Sequence, residues 1–172
     1  FPMNIVLIGY RGTGKSTVGK ILAKRLGRTV VSTDAEVVRQ AGCPIPDIVK
    51  EHGWEHFRDL ESAVCEQVGA QDHLIIDTGG GAMLRSQNLQ ALKRQGTVVW
   101  LTASVSTIAH RIGSGTQRPS LTGTQSFVEE IEAVLAERRP LYQAAADHVI
   151  ETDRRSSKGV AEAILHILQP LS

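Results

Sequence analysis

Apolar positions recur along the chain in two alternating patterns. NIVLIG (4–9) is an unbroken apolar run entering a glycine loop, the signature of a strand buried on both faces. Over residues 15–26, Val18, Ile21, Leu22 and Leu26 recur at helical spacing on one face, and Gly27 closes the helix. Residues 29–31 form a second short strand. Thr33-Asp34-Ala35-Glu36 has the T-x-x-E form of a capping box and predicts a helix starting near Asp34. Pro44 and Pro46 break that helix, and helical spacing resumes over about 46–69 with an interruption near Gly53. LII (74–76) is a third strand, 86–94 a helix, TVVWL (97–101) a fourth strand and 104–112 a helix. GSGTQRPSLTGT (113–124) has glycine, proline and hydroxyl residues with little periodicity, and reads as a mobile loop or lid. A long helix over about 126–145, the strand HVIE (148–151) and a helix over 156–168 complete the chain.

Strands alternating with helices predict an α/β fold, a parallel sheet covered on both faces. Right-handed crossovers place every loop that follows a strand on one edge, and ligands bind outside the carboxyl ends of such strands. LIIDTGGG (74–81) therefore delivers Asp77 and three glycines to the edge where a ligand is expected.

Size and composition narrow the possibilities. The 172 residues suit a single domain spanning 1–172, and 41% hydrophobic with 22% charged residues is ordinary for a globular protein. A formal net charge of +1 gives no general attraction to nucleic acid or an anionic membrane, although Arg138-Arg139 and Arg154-Arg155 are local basic pairs. No apolar stretch is long enough to cross a bilayer. Phe1 and Pro2 precede Met3 and read as added residues, with Met3 the natural start and no signal peptide expected. Cys43 and Cys65 make neither a metal-type pair nor a disulfide framework, which fits a reducing cytoplasm.

GYRGTGKST (9–17) matches G-x-x-x-x-G-K-[ST] between a strand and a helix, the context the motif requires. Backbone N–H groups must point inward around a polyphosphate, and side chains would obstruct them. Gly9, Gly12 and Gly14 permit that path, with Thr13 and Thr17 beside it. Lys15 brings a point charge to the outer phosphates, and Ser16 offers its hydroxyl to Mg²⁺. The motif indicates a nucleoside triphosphate and leaves the acceptor open.

Four further features bear on the acceptor: Asp34 after the second strand, Arg58 and Glu61 in FRDLE (57–61), the run Gly79-Gly80-Gly81, and RP (118–119) followed by ERRPLY (137–142). Each has a plain structural alternative. Asp34 suits the first turn of a helix, and Arg58 with Glu61 suits a solvated i,i+3 pair. Three consecutive glycines carry a large backbone entropy cost, which favours a close backbone approach over a plain turn. Arg139 reads as a surface residue; Arg138 is assigned to the site by its spacing to Pro140. His52 and His56 lack a third metal ligand, and Trp54 and Phe57 read as core or pocket wall.

With these blocks in this order the sequence resembles the shikimate kinases, from the phosphate loop to Arg155. The resemblance implies a three-layer P-loop NTPase fold of the nucleoside monophosphate kinase type, with a five-stranded parallel sheet in the order 2-3-1-4-5, flanking helices and a mobile lid. It implies phosphoryl transfer from ATP, with Mg²⁺, to the 3-hydroxyl of shikimate, on the route to chorismate and the aromatic amino acids, by a cytoplasmic monomer. It further implies that Asp34 holds the acceptor hydroxyls and takes the proton, and that Arg58 and Arg138 grip the carboxylate. The acceptor region spans about 34–61. Gly79, Gly80 and Gly81 would admit the ring, Glu61 would orient Arg58, Arg118 on the lid would reach the transferring phosphate, and Arg111 and Arg155 would flank the adenine.

The chain departs from this family pattern in three places. Ser32 stands where an aspartate associated with Mg²⁺ is usual, Asp77 where a small residue is usual, and Ser120 where leucine is usual. Because Asp77 ends an apolar strand in the manner of a Walker B acid, it is expected to supply the missing charge at the metal; the alternative is that it merely caps the glycine turn. Two other functions stay open on the residues alone. One is a kinase for another polyol acid such as gluconate. The other is a binding module without turnover, which Ser32 keeps in play.

Overall fold

The structure, a computed structural model, describes residues 3–113 and 127–168. Its strands are β1 (Asn4–Ile8), β2 (Thr29–Ser32), β3 (Leu74–Asp77), β4 (Gly96–Thr102) and β5 (His148–Glu151). Its helices are α1 (Lys15–Leu26), α2 (Thr33–Ala41), α3 (Ile45–Gly69), α4 (Ser86–Lys93), α5 (Val105–Ile112), α6 (Phe127–Ala145) and α7 (Ser157–Leu168), with a short 3₁₀ turn at Ala82–Leu84. All four strand pairings are parallel, and the order is β2-β3-β1-β4-β5. The expected sheet is therefore the one observed, and the fold is that of the P-loop NTPases.

The unbroken apolar strands are explained by two cores. Along β1, Val6 and Ile8 point into one layer while Ile5 and Leu7 point into the other. Residues 75–76 of β3 and 98–99 of β4 split the same way. One layer packs against α2 to α6, and the other against α1 and α7. Each such side chain, fully removed from water, contributes about 1.5–3 kcal/mol. A central strand buried on both faces cannot alternate with polar residues.

Two element boundaries differ from the sequence pattern. α2 is capped by Ser32, whose Oγ accepts from the Ala35 backbone N–H at 3.2 Å, so the helix begins one residue before the capping-box prediction. Thr33 is instead buried, and Glu36 pairs with Arg39 rather than closing a box. α3 carries Pro46 in its first turn, where the lost N–H is harmless, and runs on to Gly69. The interruption foreseen near Gly53 is a single residue with φ 86° and ψ 168°. No helix among the described residues is long and apolar enough to cross a membrane.

Candidate active site

Parallel strands bring the carboxyl ends of β1, β2 and β3 to one edge, and three groups of residues meet there. The first is the phosphate loop. Gly14, in the left-handed region at φ 91°, starts α1. Lys15 is buried, and its Nζ donates to the carbonyls of Gly9 at 2.8 Å and Tyr10 at 3.0 Å. Thr13 Oγ1 donates to the same Tyr10 carbonyl at 2.7 Å. The loop is thus bonded across its own mouth. It opens into a cleft of about 330 Å³ whose walls include Lys15, Ser16, Ser32, Asp34, Asp77 and Gly80.

Asp77 ends β3, and its register partner across the ladder on β2 is Ser32. The two residues stand on the same rung at the mouth of the cleft. Burial pushes the Asp77 carboxyl above the usual carboxylate range; Lys15 opposes that rise and Asp34 adds to it.

The second group explains the glycine run. A Cβ built on Gly79 would lie 2.5 Å from Asp34 Oδ1 and 2.9 Å from Glu61 Oε2. One on Gly80 would lie 3.3 Å from Arg138 Nη1, and one on Gly81 would overlap the Arg58 guanidinium. The space given up by three side chains is therefore filled by four charged ones. The backbone is fixed in this crowd. Gly79 N–H donates to Thr33 Oγ1 at 2.9 Å, Tyr142 Oη donates to the Gly80 carbonyl, and Thr78 Oγ1 donates to the Leu7 carbonyl at 2.8 Å.

Arg58 and Glu61 are no solvated surface pair. Glu61 is fully buried, Arg58 is 8% exposed, and Arg58 Nη1 donates to Glu61 Oε1 at 2.8 Å. The Arg58 guanidinium carbon also lies 5.4 Å from the Trp54 ring centroid and 5.2 Å from that of Phe57. Arg138 comes from α6, is buried, and lies 5.9 Å from the centroid of the Tyr10 ring. Arg139, its neighbour, is exposed. Burial pushes the Tyr142 phenol up to about 12 against the pull of Arg138, so the phenol stays neutral and keeps its proton for Gly80.

The third group lies beyond the loop. A cleft of about 410 Å³ is lined by Gly12, Thr13, Thr17, Arg111, Thr152 and Arg155, among others. Arg111 Nη1 donates to the Gly12 carbonyl at 3.2 Å and to Thr152 Oγ1 at 3.0 Å, and Nη2 donates to the Thr152 carbonyl at 3.2 Å. Arg111 thereby ties α5 and the segment after β5 to the phosphate loop. Arg118 and Ser120, with the rest of the segment expected beyond Gly113 to form a lid, lie outside the described residues.

Thus Lys15, Ser16, Asp34, Asp77, Arg58, Glu61, Arg138 and Gly79–Gly81 converge on one edge, although they come from five separate stretches of chain. Thr33, Tyr10 and Tyr142 join them without having been singled out. Tyr142 had a legible signal, since it stands four residues after Arg138 and so on the same helix face. Thr33 had none, because its T-x-x-E context suits a cap equally well.

Gly79→Ala provides a direct check on this crowding. The methyl group must displace Asp34 by about 1 Å, and misplacement of that size costs about 10²-fold in rate. kcat/KM with the acceptor is expected to fall by that factor, and the thermal midpoint by several degrees, because the methyl group also presses on the buried Glu61 carboxylate.

A family model described as shikimate kinase matches residues 11–169. The shikimate kinase of Symbiobacterium thermophilum is 44% identical over 168 residues, covering 97% of each chain. Shikimate kinase 2 of Photorhabdus laumondii is 46% identical over 149 residues, covering 85% of this chain and 84% of the relative. The chain belongs to the shikimate kinase family. Among solved structures, a shikimate kinase from Acinetobacter baumannii in complex with shikimate superposes with a TM-score of 0.90 at 34% identity, over 96% of this chain and 92% of that one. Members of this family are ATP-dependent kinases, and the phosphate loop described above is the part of the site that such an activity requires.

Proposed function

We propose that this chain transfers the γ-phosphoryl group of ATP to the 3-hydroxyl of shikimate, giving shikimate 3-phosphate and ADP on the route to chorismate. The observation that carries this is the placement of two buried arginines and one carboxylate, Arg58, Arg138 and Asp34, around the backbone of Gly79–Gly81 beside the phosphate loop. A cyclic polyol acid needs these groups. Arginine forks match the planar carboxylate, and a carboxylate on the far side aims one hydroxyl at the γ-phosphorus.

The residues take the following roles. The Gly12–Thr17 backbone cradles the phosphates, and Lys15 turns its ammonium to the outer ones. Arg111 and Arg155 border the adenine. Arg58, held by Glu61, and Arg138 fix the acceptor carboxylate, while Gly79–Gly81 present their backbone to the ring. Asp34 accepts the proton from the 3-hydroxyl as its oxygen bonds to phosphorus and the bridge to ADP breaks. Arg118 is the lid residue that neutralises charge on the transferring group; such fingers contribute about 10³–10⁵ in rate.

Mg²⁺ suits the donor set, because the cleft beside Lys15 offers the oxygens of Ser16, Ser32 and Asp77 and no sulfur or imidazole. Ser16 would hold the ion directly, and the ion when bound would neutralise charge on the β- and γ-phosphates.

ADP formation measured with and without shikimate tests the proposal. ADP that appears only with shikimate is the expected result. ATP binding without shikimate-dependent ADP would make the chain a binding module. Equal turnover with gluconate would make it a kinase of broader polyol-acid specificity.

A further inference from the structure

Asp77 is an acid in an unusual place. It closes a strand otherwise made of Leu74, Ile75 and Ile76, all buried. It lines the phosphate cleft together with Ser16, and Lys15 is close enough to act on its charge. The residue opposite it on β2 is Ser32, whose Oγ is engaged in capping α2. Asp34, the other carboxylate of the cleft, abuts Gly79 on the acceptor side. Asp77 is half-buried, and withdrawing a carboxylate from water is costly to that extent without a compensating cation. Lys15 cannot compensate fully in the working state, since its charge is then shared with the triphosphate. A divalent ion at Ser16 would supply that compensation, and would do so only while the nucleotide is present.

We propose that Asp77 is the carboxylate that holds the Mg²⁺ of the nucleotide in this chain, through the ion's water shell, and that Ser32 and Asp77 work as one rung. The β2–β3 register puts two side chains at the same height on the cleft wall. An acid on either strand reaches the same water layer, and a single acid suffices. Here β3 carries it, which leaves β2 free to use a neutral cap. The inference rests on the nucleotide site of the proposed kinase and not on the identity of the acceptor.

The test reads metal binding rather than turnover. Mn²⁺ replaces Mg²⁺, and its affinity for the protein–ADP complex is measured by electron paramagnetic resonance without shikimate. The proteins compared are wild type, Asp77→Asn, Ser32→Asp and the double variant Ser32→Asp/Asp77→Asn. Asp77→Asn is expected to weaken Mn²⁺ binding by about 10- to 100-fold, the usual loss when a group orienting a metal's shell is removed. ADP binding without metal is expected to hold or tighten, because a negative charge has left the phosphate cleft. The double variant is expected to recover Mn²⁺ affinity to within about threefold of wild type, as one acid per rung requires.

Unchanged Mn²⁺ affinity in Asp77→Asn would overturn the proposal. So would equal losses of ADP and Mn²⁺ binding, which would make Asp77 a structural partner of Lys15. A double variant no better than Asp77→Asn would overturn the shared rung. Thermal midpoints of all four proteins identify a variant that has lost its fold; should Asp77→Asn be one, Asp77→Ser takes its place in the single and the double variant, and the same comparison of Mn²⁺ affinities decides. Failure of shikimate phosphorylation in the wild type would leave these affinities as they are, so the two proposals fail separately.

Discussion

Asp34→Asn is expected to lower kcat for shikimate phosphorylation by about 10²–10⁴, the usual contribution of a positioned general base. The substitution keeps shape and volume. Asp34 Oδ1 lies 2.5 Å from where a Cβ of Gly79 would be, and Gly79 is itself held by Thr33, so an amide of the same shape fits the same crowded corner. What is lost is the acceptor of the hydroxyl proton. ATP binding should change little, since the phosphate loop is built from α1 and β1. The measurement is a set of steady-state kcat and KM values for both substrates, with ADP affinity determined separately. A tenfold loss in ADP affinity would place Asp34 in the nucleotide site instead and would remove its assignment as the base.

The second large effect is on stability. Glu61→Ala leaves the Arg58 guanidinium buried without its carboxylate, and breaking a buried pair in this way costs about 3–5 kcal/mol. For a domain of this size that lowers the thermal midpoint by about 10 °C. Arg58→Ala in turn removes a cation from beside the buried Glu61 carboxylate, yet a carboxylate can take up a proton and become neutral, whereas a guanidinium stays charged. The glutamate variant should therefore be the less stable of the two at mildly acid pH. Thermal melts at pH 5 and pH 7.5 compare them. Equal midpoints at both would show that the pair contributes packing rather than charge.

How much of this was legible in the sequence depends on the range of the interaction. Strand and helix alternation, with the phosphate motif between the first pair, was enough for the sheet and its functional edge, because those signals are local and periodic. The glycine run at 79–81 announced a close approach but not what approaches. The occupants are Asp34, Glu61, Arg58 and Arg138, of which Arg138 stands 58 positions after Gly80, and no local pattern encodes that meeting. Thr33 shows the converse failure. Its context fits a helix cap well, yet the cap is Ser32, and the Thr33 hydroxyl is used by the Gly79 amide. Short polar side chains bond to whatever backbone is nearest, and only the packed structure says which that is. The rung of Ser32 and Asp77 was legible as two separate departures from a family pattern; the ladder register makes them neighbours.

The phosphate loop has a thermodynamic consequence of its own. Lys15 spans the loop from Gly9 to Tyr10, and Thr13 ties the same carbonyl. The entropy of ordering these residues is accordingly settled when the protein folds and is absent from the association step. A loop bonded to itself in this way has less freedom left to lose when phosphate enters it, so more of the contact energy remains for affinity. Folding of the core and readiness for ATP become one event, and a chain that has closed its sheet has also set its trap for phosphate.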